Sequence, residues 1–201
     1  MCSGCRKALR RIAPPLCERC GAPTAWPVRR CLECAGRRIA FEQARAAVAY
    51  DEPVRTVVGA WKERGLRRLA AWAAAVIVDT LPRPAVDSLV FVPGDHGRRL
   101  VAGHHAGEEL ARKLAPLWGL PLEPLLTRGP GSRRQRGLSQ AERRRNVAGA
   151  FSCAGEIRGS VCLVDDVYTT GATVQSAASV LRKGGAQRVE VVTFARAIRI
   201  R

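Results

Sequence analysis

Aromatic side chains are scarce in this chain: four Trp, two Tyr and four Phe make up 5% of its 201 residues. An extended base-stacking groove is thereby excluded, and stacking on nucleic acid is restricted to a few positions. Acidic residues are also few, 17 against 34 basic ones, which leaves a formal charge of +17. Such a balance predicts attraction to nucleic acid or to phosphorylated small molecules. Lysine is nearly absent, with only Lys7, Lys62, Lys113 and Lys183 among the basic residues. The arginine excess suits bidentate phosphate binding and also fits a GC-rich coding sequence. No apolar run is long enough to span a bilayer, since the longest, Leu69 to Leu81, is broken by Asp79. Met1-Cys2-Ser3-Gly4-Cys5 leads into Arg and Lys without an apolar signal region, so a cytoplasmic protein with no membrane span is expected. Low-complexity tracts are lacking, and 47% hydrophobic content is enough to fill one α/β core.

Cysteine is present and unevenly placed. Six of eight fall before residue 35, as the C-x-x-C pairs Cys2/Cys5, Cys17/Cys20 and Cys31/Cys34. Two such turns separated by ten residues offer four thiolates to one tetrahedral Zn2+, so Cys17, Cys20, Cys31 and Cys34 are expected to bind a structural zinc ion. A pairing of Cys2/Cys5 with Cys17/Cys20 is the alternative ligand set. Disulfides fit less well without signs of secretion, and a small Pro-rich segment with little apolar content needs a staple. The composition changes near residues 36 to 42, which predicts a zinc-ribbon-like module over 1–40 and an α/β domain over 41–201. Cys153 and Cys162 read as small apolar residues of that domain.

From Phe41 onward short β-branched runs alternate with Ala/Leu/Arg segments, the pattern of βα units and a mainly parallel sheet. Strands are expected near Ala46 to Tyr50, Ser88 to Val92, Leu122 to Leu126, Val161 to Val164 and Val189 to Phe194. Helices are expected near Pro53 to Arg64, Leu66 to Thr80, Leu100 to Leu117, and from Thr173 to Gly184-Gly185. Thr127 to Asn146 reads as a long Gly- and Arg-rich loop, fit to fold over a phosphorylated ligand as a lid.

The most informative stretch is Val164-Asp165-Asp166-Val167-Tyr168-Thr169-Thr170-Gly171-Ala172-Thr173. A buried strand ends in two carboxylates and passes through a hydroxyl-rich turn into a helix. Backbone N–H groups of Thr170 to Thr173 at a helix N-terminus can cradle a phosphate, and Gly171 permits close approach. Asp165 and Asp166 stand where ligands bind in open parallel sheets, placed to accept hydrogen bonds from two ribose hydroxyls. His96, His104 and His105 read as structural or solvent-facing. Trp26 and Trp61 are candidate stacking platforms for single strands, and each also reads as a packing residue.

Val164 to Thr173 is similar to the phosphoribosyl pyrophosphate (PRPP) signature of type I phosphoribosyltransferases, and the whole chain resembles the competence-associated ComF family. Further landmarks are Lys62-Glu63-Arg64-Gly65, Val90-Phe91-Val92-Pro93, and Gln135-x-x-Leu138-Ser139 leading to Arg143-Arg144-Arg145-Asn146-Val147. The resemblance implies a type I phosphoribosyltransferase fold, Rossmann-like with a mainly parallel sheet flanked by helices. It also implies a site in which Asp165 and Asp166 hold the ribose and Thr169, Thr170, Gly171, Ala172 and Thr173 hold the 5-phosphate. Lys62, Gly94 and Asp95 complete the expected ligand contacts, the turn after Pro93 facing the pyrophosphate. Mg2+ would ride on the pyrophosphate, held largely by substrate oxygens and water. Implied roles are transfer of the phosphoribosyl group to an acceptor the sequence does not name, and a link to DNA uptake, with single-stranded DNA and a competence helicase as partners. A non-catalytic accessory that binds single strands is the competing reading. The family often carries four Cys pairs, so the first pair looks absent, through loss or through a start codon placed inside a longer frame. Phe91 replaces a family Pro, Ala102 stands where an Arg precedes Gly, and Gly94-Asp95 brings a carboxylate toward the pyrophosphate. These departures separate ligand binding from turnover.

Overall fold

Four apolar runs, Gln43–Ala49 (β1), Arg188–Arg196 (β6), Ser160–Tyr168 (β5) and Ser88–Phe91 (β2), assemble in that order into one parallel sheet. The structure is a computed structural model that describes residues 8–94, 105–129 and 149–198. Its elements are β1 (Gln43–Ala49), α1 (Glu52–Glu63), α2 (Leu69–Thr80), β2 (Ser88–Phe91), α3 (Ala106–Trp118), β3 (Leu126–Arg128), β4 (Phe151–Cys153), β5 (Ser160–Tyr168), α4 (Ala172–Lys183) and β6 (Arg188–Arg196).

Both faces of the sheet are covered, which is why β5 and β6 read as continuous apolar runs. Cys162 and Val164 of β5 join Val192 and Phe194 of β6 under the Trp61, Ile77, Leu110 and Leu114 side of the core. Val161 and Leu163, with Val189 and Val191, face Val174, Ala177, Ala178 and Leu181 of α4 on the other. Helix α1 starts at Asp51, whose Oδ1 accepts from the Val54 amide at 3.2 Å, and buries Val54, Val58 and Trp61 at helical spacing. Helix α3 ends at Gly119, in the left-handed conformation at φ 60°.

Residues 10–12 and 19 pair with the outer edge of β1. The Ile12 amide donates to the Ala47 carbonyl at 3.0 Å, the Ala49 amide to Arg10 at 2.8 Å, and the Ala44 amide to Arg19 at 2.8 Å. Arg11 pairs antiparallel with Val48. No helix among the described residues is long and apolar enough to cross a membrane.

Three differences from the sequence reading bear on the site. Strand β5 does not end at Val164: it continues through both carboxylates to Tyr168, in register with β6 from Asp165↔Thr193 to Tyr168↔Arg196. Leu122 to Leu126 is not a strand; Leu122 makes an isolated bridge to Leu89, and pairing begins only at Leu126, opposite Cys153. Pro121 and Pro124 each lack the amide a ladder needs. Thr127 and Arg128, expected in a loop, belong to this antiparallel β3–β4 pair. The rest of the Arg-rich segment, from 130 to 146, and the expected helix start at Leu100 lie outside the described residues.

Candidate functional site

The carboxyl end of β5 carries the first part of the site. Asp165 and Asp166 are 8% and 5% exposed, a placement that charged groups take only with partners. Their local partners are backbone amides: Asp166 N–H donates to Asp165 Oδ1 at 2.9 Å, and Val167 N–H to Asp166 Oδ1 at 2.8 Å. Lys62, at the last turn of α1, forms an ion pair with Asp166 Oδ2. Two expected site residues, 104 positions apart in the chain, therefore meet. The Gly107 backbone, in the first turn of α3, closes on Asp165: a Cβ there would lie 3.5 Å from Asp165 Oδ1.

The turn follows directly. Thr169 and Thr170 precede Gly171, whose φ of 73° is open to glycine at little cost. A side chain there would also strike the Tyr168 hydroxyl, 2.2 Å from the Cβ position. Gly171, rather than Thr173, is the N-cap of α4, and no side chain of the cap residue covers that helix end. The Ala172 amide donates to the Thr170 hydroxyl at 3.3 Å, so one of the expected phosphate donors already has a partner in the turn itself.

Gly94, past the end of β2, lies against the His105 ring, close enough that a Cβ would overlap it. His105, Glu108 and Arg112 of the adjoining helix, with Phe91, Pro93, Leu126 and Arg128, line a cleft of about 290 Å³. Asp95, His96 and His104 lie outside the described residues. Trp61 is fully buried, with its Nε1 donating to Glu109 at 3.2 Å, so it is a packing residue and no stacking platform.

The second centre is the cysteine cluster. Sγ atoms of Cys17, Cys20, Cys31 and Cys34 all lie within 4.8 Å of one another, and three of the four residues are buried. The Cys17–Cys34 and Cys20–Cys31 separations are 3.9 and 3.6 Å. Tetrahedral M–S bonds of about 2.3 Å have edges of about 3.8 Å, so the four sulfurs fit one metal ion such as zinc. Each C-x-x-C turn is a tight knuckle, and the Cys31 amide points at Cys17 Sγ from 3.3 Å. Gly21, at φ 68°, closes the first knuckle and packs where a Cβ would lie 2.3 Å from the Ala44 carbonyl oxygen of β1. Without metal the thiols share protons unevenly. A hydrogen bond from Cys34, opposed by burial and aided by the Arg196 charge, lowers Cys20 to about 5. Burial and the neighbouring Cys20 thiolate raise Cys31 to about 11, and the hydrogen bond to Cys20 raises Cys34. Cys2 and Cys5 lie outside the described residues. Cys162 is buried inside β5, where burial pushes its thiol up, in keeping with an apolar role.

No protein-family model matches the chain. Along 98% of its length it is 29% identical to competence protein F of Haemophilus influenzae, covering 90% of that protein. This chain is a homologue of competence protein F. It is also 29% identical to the DNA utilization protein YhgH of Salmonella typhi, over 98% of this chain and 91% of the relative. Among solved structures, the glutamine PRPP amidotransferase of B. subtilis is 23% identical with a TM-score of 0.42; the match spans 63% of this chain and 25% of the amidotransferase. The described residues form a mainly parallel sheet flanked by helices, with a cysteine cluster on its N-terminal side.

One residue of the chain escaped the sequence reading. Arg196 closes β6 with 1% exposure, donating from Nη1 to the Cys20 carbonyl at 2.7 Å and from Nη2 to Glu33 Oε2 at 2.8 Å. Its guanidinium covers the Tyr168 ring at 4.3 Å. The available signal was a lone charge at the end of Val-Val-Thr-Phe-Ala-Arg, a run otherwise fit for a buried strand.

Proposed function

We propose that this ComF-type chain binds PRPP, or a related ribose 5-phosphate ligand, at the carboxyl end of β5, and transfers the phosphoribosyl group to an acceptor. The observation that carries this reading is the joining of the buried Asp165/Asp166 pair to the Thr169–Gly171 turn at the α4 N-terminus, where the cap residue Gly171 has no side chain to cover the helix end. Carboxylates there accept from the vicinal ribose hydroxyls, and the turn amides with the Thr169, Thr170 and Thr173 hydroxyls donate to the 5-phosphate. Lys62 holds Asp166 in orientation for that task. Gly94 begins the turn toward the pyrophosphate, whose own oxygens carry Mg2+. Residues 1–40 act as a zinc module on a phosphoribosyltransferase-like domain over 41–201. PRPP with Mg2+ at a hundredfold excess over its Kd should stabilise the fold by about 2.7 kcal/mol. A thermal melt reads this directly, and Asp165→Ala with Asp166→Ala should abolish the shift. A wild-type melting temperature that ignores PRPP would end the proposal.

The second reading, a single-strand-binding accessory of DNA uptake, is favoured by Trp26. It is 68% exposed on the cysteine module, and Arg29 and Arg30 nearby in the chain are exposed too. An exposed ring with exposed arginines close by in the chain suits base stacking and phosphate contact. Single-stranded oligonucleotide binding should then weaken steeply with salt, and Trp26→Ala should reduce it without altering the salt slope. Absence of binding at low salt removes this reading and leaves the first intact.

A further inference from the structure

The ribose-phosphate turn and the cysteine cluster are joined by a chain of contacts through one buried guanidinium. Arg196 reaches both cysteine knuckles: the Cys20 carbonyl and Sγ, at 2.7 and 3.5 Å, belong to the first, and Glu33, at 2.8 Å, lies inside the second between Cys31 and Cys34. Its flat face rests on Tyr168, and the Tyr168 hydroxyl in turn lies against Gly171. Strand register fixes this arrangement, because Tyr168 and Arg196 are direct partners across β5 and β6. Two shorter contacts run in parallel. Arg37 Nη2 donates to the Thr170 carbonyl at 3.4 Å, and the Ala40 amide donates to Gln175 Oε1, one turn into α4, at 2.9 Å.

A buried cation demands compensation, and here it comes from two segments that a metal ion would hold together. The residues fit such an ion, as the sulfur separations establish. With the metal bound, a four-thiolate centre carries net negative charge, which the adjacent guanidinium balances. Once the metal is lost, only the ten-residue connection 21–30 and non-covalent contacts join the first knuckle to the second. Glu33 and Cys20 can then separate, and the fork of Arg196 cannot satisfy both.

We propose that Arg196 is a positioning residue that couples the four-cysteine centre to the ribose-phosphate turn, so that metal occupancy sets the order of residues 168–175 and their affinity for ribose 5-phosphate. The affinity half rests on the ligand reading above; the ordering half does not. Coupling of this kind is reciprocal: bound ribose 5-phosphate must raise the metal affinity by the factor by which metal tightens ribose 5-phosphate.

The test uses the full-length chain, loaded with Zn2+ or treated with a chelator, in two measurements. Hydrogen exchange without ligand follows amides 168–175; calorimetry follows ribose 5-phosphate. Metal removal should raise exchange in that segment and weaken ribose 5-phosphate about tenfold, within the usual range of allosteric coupling. Tyr168→Leu should keep the zinc stoichiometry yet lose the metal dependence of both readouts, while Tyr168→Phe, which keeps the ring under Arg196 and its edge beside Gly171 and loses only the hydroxyl, should retain part of it. Arg196→Gln should behave like Tyr168→Leu; since it also leaves Glu33 and Tyr168 without their cation, the tyrosine pair decides if the arginine variant fails to fold. Equal exchange in the loaded and chelated wild-type chain, with β5 and β6 still protected, overturns the proposal. So does a Tyr168→Leu chain that remains fully metal-dependent. If metal orders the segment but ribose 5-phosphate never binds, the coupling stands and the ligand reading falls.

Discussion

Gly171 concentrates several demands in one residue. Its φ of 73° lies where an L side chain is strained, and the space beside its Cα is filled by the Tyr168 hydroxyl. Gly171→Ala should therefore lower stability by about 1–2 kcal/mol through the left-handed backbone alone. Displacement of Tyr168 should add to this and weaken ribose 5-phosphate binding. Urea midpoints together with calorimetry would measure both; a variant that folds and binds like wild type would show that the turn tolerates a Cβ. The glycine was legible in the sequence, because small and hydroxyl-bearing residues between a strand and a helix leave few other roles. Arg196 was not, since its compensation comes from Cys20 and Glu33, more than 160 positions away. A buried charge is legible only through its partners, and contacts at that separation leave no local pattern.

Elements were readable to the extent that their causes were local. The sequence places a helix near Pro53 to Arg64, and α1 forms at Glu52–Glu63 around Val54, Val58 and Trp61. The parallel strands were signalled by unbroken apolar runs. The end of β5 was misplaced because Asp165 and Asp166 look like the start of a loop, whereas β6 and Lys62 keep them in the sheet. Strand β4 spans only three residues, too few for any period to be visible. Helix α1 also links core to site: Trp61 is fully buried and donates to Glu109, while the next residue, Lys62, reaches Asp166. Trp61→Ala should cost about 3–5 kcal/mol in urea denaturation by leaving a cavity at the base of this helix. Trp61→Phe, which keeps most of the volume but loses the hydrogen bond, should cost less. Equal costs would mean that Glu109, not packing, holds the helix.

At the scale of the whole molecule, the cysteine module and the sheet are a single packed unit, for Cys17, Cys20 and Cys34 share a buried cluster with Ala44 of β1 and Leu181 of α4. One equivalent of Zn2+ per chain is expected, with a fall in melting temperature on chelation. Because Cys31 is raised to about 11 and Cys34 also upward, both hold protons near neutral pH until metal displaces them. Apparent zinc affinity should therefore weaken as pH falls from about 8 to about 6, with protons released on binding. A pH-independent affinity would exclude the four-thiolate set. The pairing of residues 10–12 and 19 with β1 has its own consequence. A bare sheet edge offers unmatched amides and carbonyls to any other strand, including that of another molecule. By occupying the outer side of β1, the segment folded around the cysteines acts as a guard against self-association. Its integrity therefore bears on the solubility of the chain as much as on its ligand.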